Sequence, residues 1–588
     1  MKNRIYWFPI IGIIICSLGW TWISFSFDPF CETGAVANTK RPFLLFFSLA
    51  GLGCAAYFVA IWRAIIQPQE FRLKHILGVA VLCRVLLIPS IPIQEIDLYR
   101  YLWDGYVVNQ GINPYRYAPD QIKRAIAESY SQVQSDTPPL PGELARLDHQ
   151  VHENSKPVAS NPEIISLVTL CKEQPEVHRI LDIVHFSELP TVYPPVSQAV
   201  FALSVFTTPR DTSRYVRLVV LKTWLMLFDI ATILGILVLL KQLSVPRSWA
   251  IVYGWSPLVL KEYANSGHLD TITIAFCMWT LVMLIRAVTA GGHSDSQEQS
   301  KQRLIFPLLF SAILFACSIA GKLYPIILTP VLLVFLYRRL GIRFAGIWLT
   351  TSVLASFLFL SAWIFADYRK EQLSDQASQQ QTESTAGLQA FMTRWQINDW
   401  MFSAVNENLL PDSQRRSPVP WFVVIPNSWR ETLTDSLKVN QDDSQKNSLS
   451  VMNSFLIARA ITLAVWGLIV ITLLGSLWRE PTSKRLVHQI FLVLAWFWLL
   501  APTQNPWYWT WALPFLLPTH RIAWLGMSCV LFAYYVRFPL LYFETNGLVP
   551  GTNMSGWTLF SDVVVWLEFA PLMLWILFYK KRAEKLLE

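Results

Sequence analysis

Long runs of apolar residues, separated by shorter polar stretches, recur along almost the whole chain. Each run approaches the roughly 20 residues that an α-helix needs to cross a bilayer, so the pattern predicts about fourteen membrane spans. The predicted spans are 6–27, 43–66, 74–93, 217–240, 249–265, 268–288, 304–320, 323–338, 345–366, 453–477, 488–503, 507–519, 521–542 and 561–579. The fold class that follows is an all-α polytopic membrane protein.

Composition supports this class. The 588 residues are 53% hydrophobic and only 15% charged, whereas a soluble domain carries roughly 25% charged residues. The net charge of +8 is explained by Lys and Arg in short loops, and no basic run with interleaved aromatic residues indicates a nucleic-acid partner. No small-residue cleavage site follows the basic N-terminus and its apolar run, so this run is predicted to stay as the first span.

Lys and Arg residues in the short loops predict the orientation of the chain, because such loops face the cytoplasm. Both termini are then cytoplasmic, and three long loops lie outside: 94–216, 367–452 and 543–560. The apolar stretch 193–208 is too short to span and is predicted to dip to the membrane surface. Most of the eight cysteines fall inside spans as buried thiols. Cys31 and Cys171 lie outside the spans, and a disulfide between them stays open.

One polar stretch, "QEIDLYRYLWDGYVVNQGINPY" at 94–115, follows a predicted span directly. Its spacing predicts a short helix that ends at Gly111, before an Asn-Pro turn. On that helix Asp97, Arg100, Tyr101 and Asp104 share one face. A carboxylate at the membrane surface can accept a proton from an incoming hydroxyl. The alternative is a capped interfacial helix in which Asp97 and Arg100 merely pair.

Three further polar residues interrupt apolar surroundings. His268 and Asp270 in "NSGHLD" are functional candidates because unpaired ionisable groups are costly at membrane depth. The alternative is a polar helix start capped by Asn265 or Ser266. Lys322, in "SIAGKLYP", is predicted to lie at an outer turn, where it could bind a lipid phosphate. Its alternative is a Lys whose charged end reaches the membrane surface.

Other charged and aromatic residues allow two interpretations each. Arg84, Lys222 and Asp229 lie inside spans and are predicted to pair within the helix bundle, although they could line a path through it. Trp507 and Tyr508, in "NPWYWTW", could stack on sugar rings or belong to an aromatic belt at the membrane surface.

The stretches "EIDLYRYLWDGYVVNQGINPY", "YPPVSQAVFAL", "WSPLVLKEYANSGHLDT", "AGKLYPIILTP" and "NPWYWTWALPFLLP" occur in this order. Together they resemble the GT-C glycosyltransferases, multi-span enzymes that use polyprenyl-phosphate sugars. The resemblance is nearest to the enzymes that add the first mannose in GPI-anchor synthesis and to bacterial mannosyltransferase relatives. Those enzymes carry an acidic pair in a first outer loop, and Glu95 and Asp97 match that position, with Glu in place of the first Asp.

The resemblance implies transfer of a sugar, mannose by family likeness, from a polyprenyl-phosphate donor to a hydroxyl of a glycan or lipid-linked acceptor, with inversion. It places the reaction on the outer face of the plasma membrane, among membrane lipids. Asp97 is then the general base, and Arg100, His268 and Lys322 meet the donor phosphate. The other predicted substrate contacts are Glu95, Asp104, Tyr101, Asp270, Trp507 and Tyr508. No cofactor or metal ligand is predicted, and participation of a divalent metal stays open.

The same reasoning divides the chain into four parts. They are two additional N-terminal helices (1–73), a catalytic core that includes the first outer loop (74–366), a second outer loop (367–452) and C-terminal helices (453–588). No glycine-rich phosphate loop follows a strand, which favours a lipid-linked donor over a nucleotide sugar. The alternatives are a transporter or flippase of lipid-linked sugars and a ligase of lipid-linked glycans.

Overall fold

A computed structural model describes residues 2–29, 41–135, 161–291, 297–364, 395–415, 418–436, 446–541, 543 and 547–578. Its longer helices are α1 (Lys2–Ser24), α2 (Phe43–Ile66), α3 (Leu73–Leu87), α4 (Asp97–Asn109), α5 (Pro119–Ser135), α6 (Pro162–Glu173), α7 (Pro175–Asp182), α8 (Pro195–Phe206), α9 (Arg214–Gln242), α10 (Asp270–Gly291), α11 (Gln297–Gly321), α12 (Thr329–Leu340), α13 (Ile342–Ile364), α14 (Met401–Glu407), α15 (Asn427–Ser436), α16 (Lys446–Arg479), α17 (Ser483–Leu500) and α18 (Val565–Phe578). Within these ranges the one β contact is an isolated bridge between Ile397 and Thr503.

The predicted class, an all-α polytopic membrane protein, is confirmed. In the described part of the chain ten helical segments are long and apolar enough to cross a bilayer. They are Trp7–Phe27, Phe43–Ile66, Arg214–Gln242, Asp270–Gly291, Arg303–Gly321, Ile342–Ser361, Asn453–Arg479, Ser483–Leu500, Ile522–Leu540 and Gly556–Phe578. All ten coincide with predicted spans.

The other four predicted spans are shorter or interrupted. Helix α3 has 15 residues, and the remaining three regions are divided into short pieces, with new pieces starting at or next to Pro257, Pro330 and Pro514. Proline has no backbone N–H and clashes with the preceding turn, so it starts a helix rather than continuing one. The predicted surface segment 193–208 forms the 12-residue helix α8, which is shorter than a membrane span.

The chain forms two compact units. The first comprises Met1–Gln94, Leu225–Phe357 and Ala390–Glu588, and the second comprises Glu95–Trp224 and Leu358–Gln389. In the first unit α10 packs along α11, and α1 packs against α2 and α3. In the second unit α4 packs against α8 and α7. Cys171, in α6, is a buried free thiol, and Cys31 lies outside the described residues.

The core of the first unit contains the predicted intramembrane ion pair. Arg84 Nε lies 2.6 Å from Asp229 Oδ2, and both side chains are buried. Arg84 Nη1 donates to the backbone oxygens of Ala80 and Gly254, and Tyr253 donates its hydroxyl to Asp229. Arg84 and Asp229 therefore pair within the bundle, as expected from the cost of an unpaired charge there.

Candidate active site

Helix α4 begins and ends as its sequence predicts. Asp97 is in the first turn, where the helix dipole favours a negative charge. The helix stops at Asn109, and Gly111 has φ +72°, a left-handed conformation that glycine adopts without strain. The predicted polar face is thereby set on a 13-residue helix.

Arg100 and Asp104 connect α4 to the neighbouring segments of the second unit. Arg100 Nε lies 2.9 Å from Asp104 Oδ1, and Gln198 Nε2 donates to Asp104 Oδ2 at 3.1 Å. The other guanidinium nitrogens of Arg100 donate to the carbonyl oxygens of Phe186 and Leu189. Arg100 is thus engaged by the protein on several sides. The prediction that it meets the donor phosphate stays a prediction, and this geometry favours a structural role.

Close packing joins α4 to α8. The Tyr101 ring stacks on Phe201 at a centroid distance of 4.7 Å and meets Tyr193 edge-on. A Cβ at Gly105 would lie 2.6 Å from the backbone oxygen of Phe201. Only glycine allows the two helices to approach this closely. The geometry gives Tyr101 a packing role, and its predicted contact with substrate stays a prediction.

The acidic pair Glu95 and Asp97 sits at the entry to α4, and both residues are partly exposed. Gln94, the preceding residue, has φ +74°, a sparsely populated conformation for a residue other than glycine. His185 is close enough to interact with Asp97: burial lowers the pKa of His185, and the negative charge of Asp97 opposes that shift. The base candidate therefore has an imidazole beside it, which the sequence did not indicate.

In the first unit, residues 260–270 build a second polar group. Leu260–Asn265 form a π-helical turn, a feature frequent at functional sites, and Gly267 has φ +68°. Asn265 accepts from the Ile93 backbone N–H and donates to Ser90, while Ser266 accepts from Lys261. Asn265 and Ser266 thus bond to other residues, and both lie before the start of α10 at Asp270. These contacts do not support the alternative that one of them caps that helix.

Lys322 and Asp270 meet at the ends of α11 and α10. Lys322 Nζ lies 2.7 Å from Asp270 Oδ1, which also accepts from Trp511 Nε1 at 2.5 Å. The ammonium group lies 4.3 Å from the ring centroid of Tyr508 and 5.1 Å from that of Trp511, within range of a cation–π contact. Tyr324 stacks on Trp511. Asp270 and the aromatic rings thus fix the position of the Lys322 ammonium group.

His268, like Lys322, lies beside a buried carboxylate and against an aromatic ring. Its ring stacks on Trp507 at 4.2 Å between centroids, and its Nε2 lies 3.1 Å from Glu262 Oε2. Lys261 Nζ lies 3.8 Å from the same carboxylate oxygen and donates to Tyr535. Within the described residues, Glu262 Oε1 has no hydrogen-bond partner although it is buried.

The structure therefore places the predicted residues in two groups. Glu95, Asp97, Arg100, Tyr101 and Asp104 belong to the second unit, and His268, Asp270, Lys322, Trp507 and Tyr508 come together in the first. Sequence reasoning missed Lys261, Glu262, Trp511 and Tyr535. Lys261 and Glu262 lie in an apolar run only a few positions before His268, and that clustering is a signal that could have found them.

Residues 8–147 match the model of a protein family described as alpha-(1->6)-mannopyranosyltransferase, N-terminal domain. This part of the chain is similar to a mannosyltransferase domain. The match runs from α1 past α4 and so includes Glu95 and Asp97. It supports the resemblance to multi-span mannosyltransferases, and with it a membrane-bound glycosyltransferase of the mannose-transferring type. No curated protein and no solved structure matches the chain.

In the part of the chain that the structure describes, His, Cys, Asp and Glu side chains form no group of three or more that could hold a metal ion. The sequence predicts no metal ligand, and participation of a divalent metal stays open.

Proposed function

We propose that this protein transfers a hexose, with mannose the first choice, from a polyprenyl-phosphate donor to a hydroxyl of a glycan or lipid-linked acceptor. The family match of residues 8–147 supports the sugar. The observation that carries the donor class is Lys322, a partly exposed cation held by a buried carboxylate among aromatic rings in a membrane-spanning protein.

The proposed reaction is a single displacement. Asp97 accepts the proton of the acceptor hydroxyl as its oxygen bonds to the anomeric carbon. The bond from that carbon to the phosphate oxygen breaks, and the electron pair leaves with the polyprenyl phosphate. The configuration at the anomeric carbon inverts. Charge spreads over the sugar ring in the transition state, as in glycoside hydrolysis.

Lys322 is the group proposed to receive the departing phosphate. The described residues give its ammonium one hydrogen-bond acceptor, Asp270 Oδ1, and its side chain is 20% exposed whereas that of Asp270 is 1% exposed. Donor groups of the ammonium are therefore left for phosphate oxygens. A cation positioned before the reaction needs no reorganisation when negative charge develops on the leaving group.

The neighbouring residues suit the sugar. Aromatic rings such as Trp507 and Tyr508 can lie against the apolar face of a hexose ring. Buried acceptors without a partner in the described residues, Glu262 Oε1 and Asp270 Oδ2, can accept hydrogen bonds from sugar hydroxyls, which would relieve the cost of leaving them unpaired. His268 is held by Glu262 and Trp507 and can donate to the phosphate or the sugar.

The test is to incubate purified protein with radiolabelled polyprenyl-phosphate mannose and an oligomannoside acceptor. We expect a labelled glycan product and free polyprenyl phosphate, with no product from a nucleotide-linked mannose. Consumption of the nucleotide sugar alone would overturn the donor assignment. Transfer of the lipid-linked sugar across vesicles without bond cleavage would favour a flippase.

The membrane orientation is part of the proposal. Lys and Arg in the short loops support cytoplasmic termini and an extracytoplasmic reaction in the plasma membrane. In a cysteine-free background, a single cysteine placed at exposed Asp211 should react with an impermeant maleimide added from outside. Labelling only from the cytoplasmic side would reverse the orientation.

A further inference from the structure

A second buried polar cluster lies in the first unit. Here a segment of the second predicted outer loop, around Ile397, meets the residues that follow α17. The Ile397 N–H donates to the carbonyl oxygen of Pro502, and the Gln504 N–H donates to the carbonyl oxygen of Ile397. Asn398, the next residue, has φ +53°, which Asn tolerates better than most residues. This backbone pairing fixes Asn398 beside residues 502–504.

Asn398 reaches an ionisable residue inside a membrane span. Its Nδ2 lies 3.4 Å from Glu568 Oε1 in α18 and 3.2 Å from the carbonyl oxygen of Gln504. Glu568 is 3% exposed and lies in the span Gly556–Phe578. An ionisable side chain at that depth indicates function unless it is paired. Among the described residues, the Glu568 carboxylate accepts from the amide of Asn398.

Several polar atoms of this cluster lack a hydrogen-bond partner among the described residues. They are the acceptor oxygens Asn398 Oδ1, Asn505 Oδ1, Asn406 Oδ1 and Glu568 Oε2, and the donor Trp400 Nε1. The four acceptor side chains are more than nine-tenths buried. Native proteins satisfy nearly all such groups with protein, water or ligand partners. A ligand rich in hydrogen-bond donors is a partner that would satisfy several of these acceptors at once.

The chemistry of the cluster selects the class of ligand. In the described residues, the side-chain hydrogen bonds of Asn398 and Glu568 involve an amide, a carboxylate and a backbone carbonyl, with no Lys or Arg among them. Such a lining repels anions and suits hydroxyl groups, which donate to the oxygens and accept from the indole N–H. The sugar-phosphate group of the donor belongs at Lys322 instead.

The cluster shares a short turn with the proposed sugar site. Asn505 immediately precedes the helix Pro506–Trp509, and that helix carries Trp507, which stacks on His268. A ligand held at Asn505 and another held at Trp507 would therefore lie on the same turn. This placement fits the second substrate of a transferase better than an unrelated ligand.

We propose that Asn398, Asn505 and Glu568 form a subsite that binds hydroxyl groups of a neutral acceptor glycan. The assignment rests on the proposed transferase function, since it names where that enzyme holds its acceptor. The proposed subsite also includes Asn406 and Trp400, because Asn406 Nδ2 donates to Gln396 and the Trp400 backbone N–H donates to Gln504.

The test measures binding of a neutral oligomannoside to the purified full-length protein by calorimetry, without donor. Glu568→Gln keeps the shape and removes the charge, and Asn398→Gly removes the amide while keeping the left-handed backbone. Each variant should bind the oligosaccharide about tenfold more weakly, equivalent to one lost good hydrogen bond, with an unchanged KM for the lipid-linked donor. Glu431→Gln, at an exposed carboxylate, is the matched control and should bind normally.

Three results would overturn the subsite. One is wild-type protein that binds no neutral oligosaccharide, a measurement that needs no variant to fold. Another is a pair of variants with altered thermal stability but unaltered acceptor affinity, which indicates an internal structural network. The third is loss of binding of Na⁺ or Ca²⁺ in Glu568→Gln with acceptor affinity retained, which indicates a cation site. Absence of sugar transfer together with normal oligosaccharide binding would reject the proposed function and keep the subsite.

Discussion

Lys322 Nζ and Asp270 Oδ1 lie 2.7 Å apart, and the same carboxylate oxygen accepts from the indole N–H of Trp511. The carboxylate is buried and the ammonium is partly exposed. The accessible end of the pair is therefore the positive charge, and the buried carboxylate holds it in position. In an ordinary buried ion pair both charges are shielded. Here the accessible partner is the cation, which is the arrangement needed to receive an anionic leaving group.

Replacing Lys322 with Met should reduce kcat/KM for the polyprenyl-phosphate donor by about 10²-fold, because a preorganised charge at the leaving group is lost. The measurement is the initial rate of transfer at varied donor concentration. Lys241→Met, at an exposed residue of α9, is the control and should transfer normally. Normal turnover by Lys322→Met would remove Lys322 from the site.

Asp97→Asn should reduce kcat by about 10²–10⁴-fold, the usual contribution of a general base, while donor affinity stays close to that of the wild type. Asn has nearly the same volume, and Asp97 lies in the first turn of α4 without capping it, so the protein should insert and fold. Asp211→Asn, at an exposed carboxylate, should leave kcat unchanged. If Asp97→Asn turns over at the wild-type rate, another group is the base.

Gly105→Ala should destabilise the packing of α4 on α8 by about 1–3 kcal/mol, since its Cβ would press on the backbone of Phe201, which cannot rotate away. Thermal unfolding in detergent measures the loss. Gly78→Ala is the matched control, because nothing lies within 4 Å of its added Cβ. In a helix interior that change should be neutral or stabilising. Equal unfolding temperatures for both variants would argue against the close approach.

Arg84→Met should destabilise the protein by about 3–5 kcal/mol, because it leaves the buried Asp229 carboxylate without its partner. Arg84→Met combined with Asp229→Leu should recover much of that loss, since neither charge then remains in the core. A double variant as unstable as the single one would show that the pair itself does not account for the loss.

Asp399→Asn should stabilise the protein at neutral pH. Burial raises the pKa of Asp399 well above its usual value, although Gln396 donates to its carboxylate. The folded state therefore disfavours the ionised form, and the wild type loses stability as pH rises from about 4. The unfolding temperature of Asp399→Asn should equal that of the wild type near pH 4 and exceed it increasingly towards pH 7. A constant difference across this range would exclude titration of Asp399 as the cause.

Local patterns account for much of the architecture. Runs of apolar residues are sufficient to predict the ten long helices because each helix satisfies its own backbone hydrogen bonds in the membrane. The polar face of α4 follows from the 3.6-residue period alone. Four predicted spans became short or broken helices because hydropathy averages across prolines that interrupt the hydrogen-bond ladder.

The sequence by itself determined the membrane class, the start and end of α4, and the candidate status of His268, Asp270, Lys322, Trp507 and Tyr508. Only the tertiary structure decided that these five residues meet, that Arg100 is held by Asp104 and two carbonyl oxygens, and that Glu262 and Trp511 join the site. Helix periodicity acts over a few residues and is readable from the chain. Contacts between residues as far as 274 positions apart depend on how whole helices pack, which no local pattern encodes.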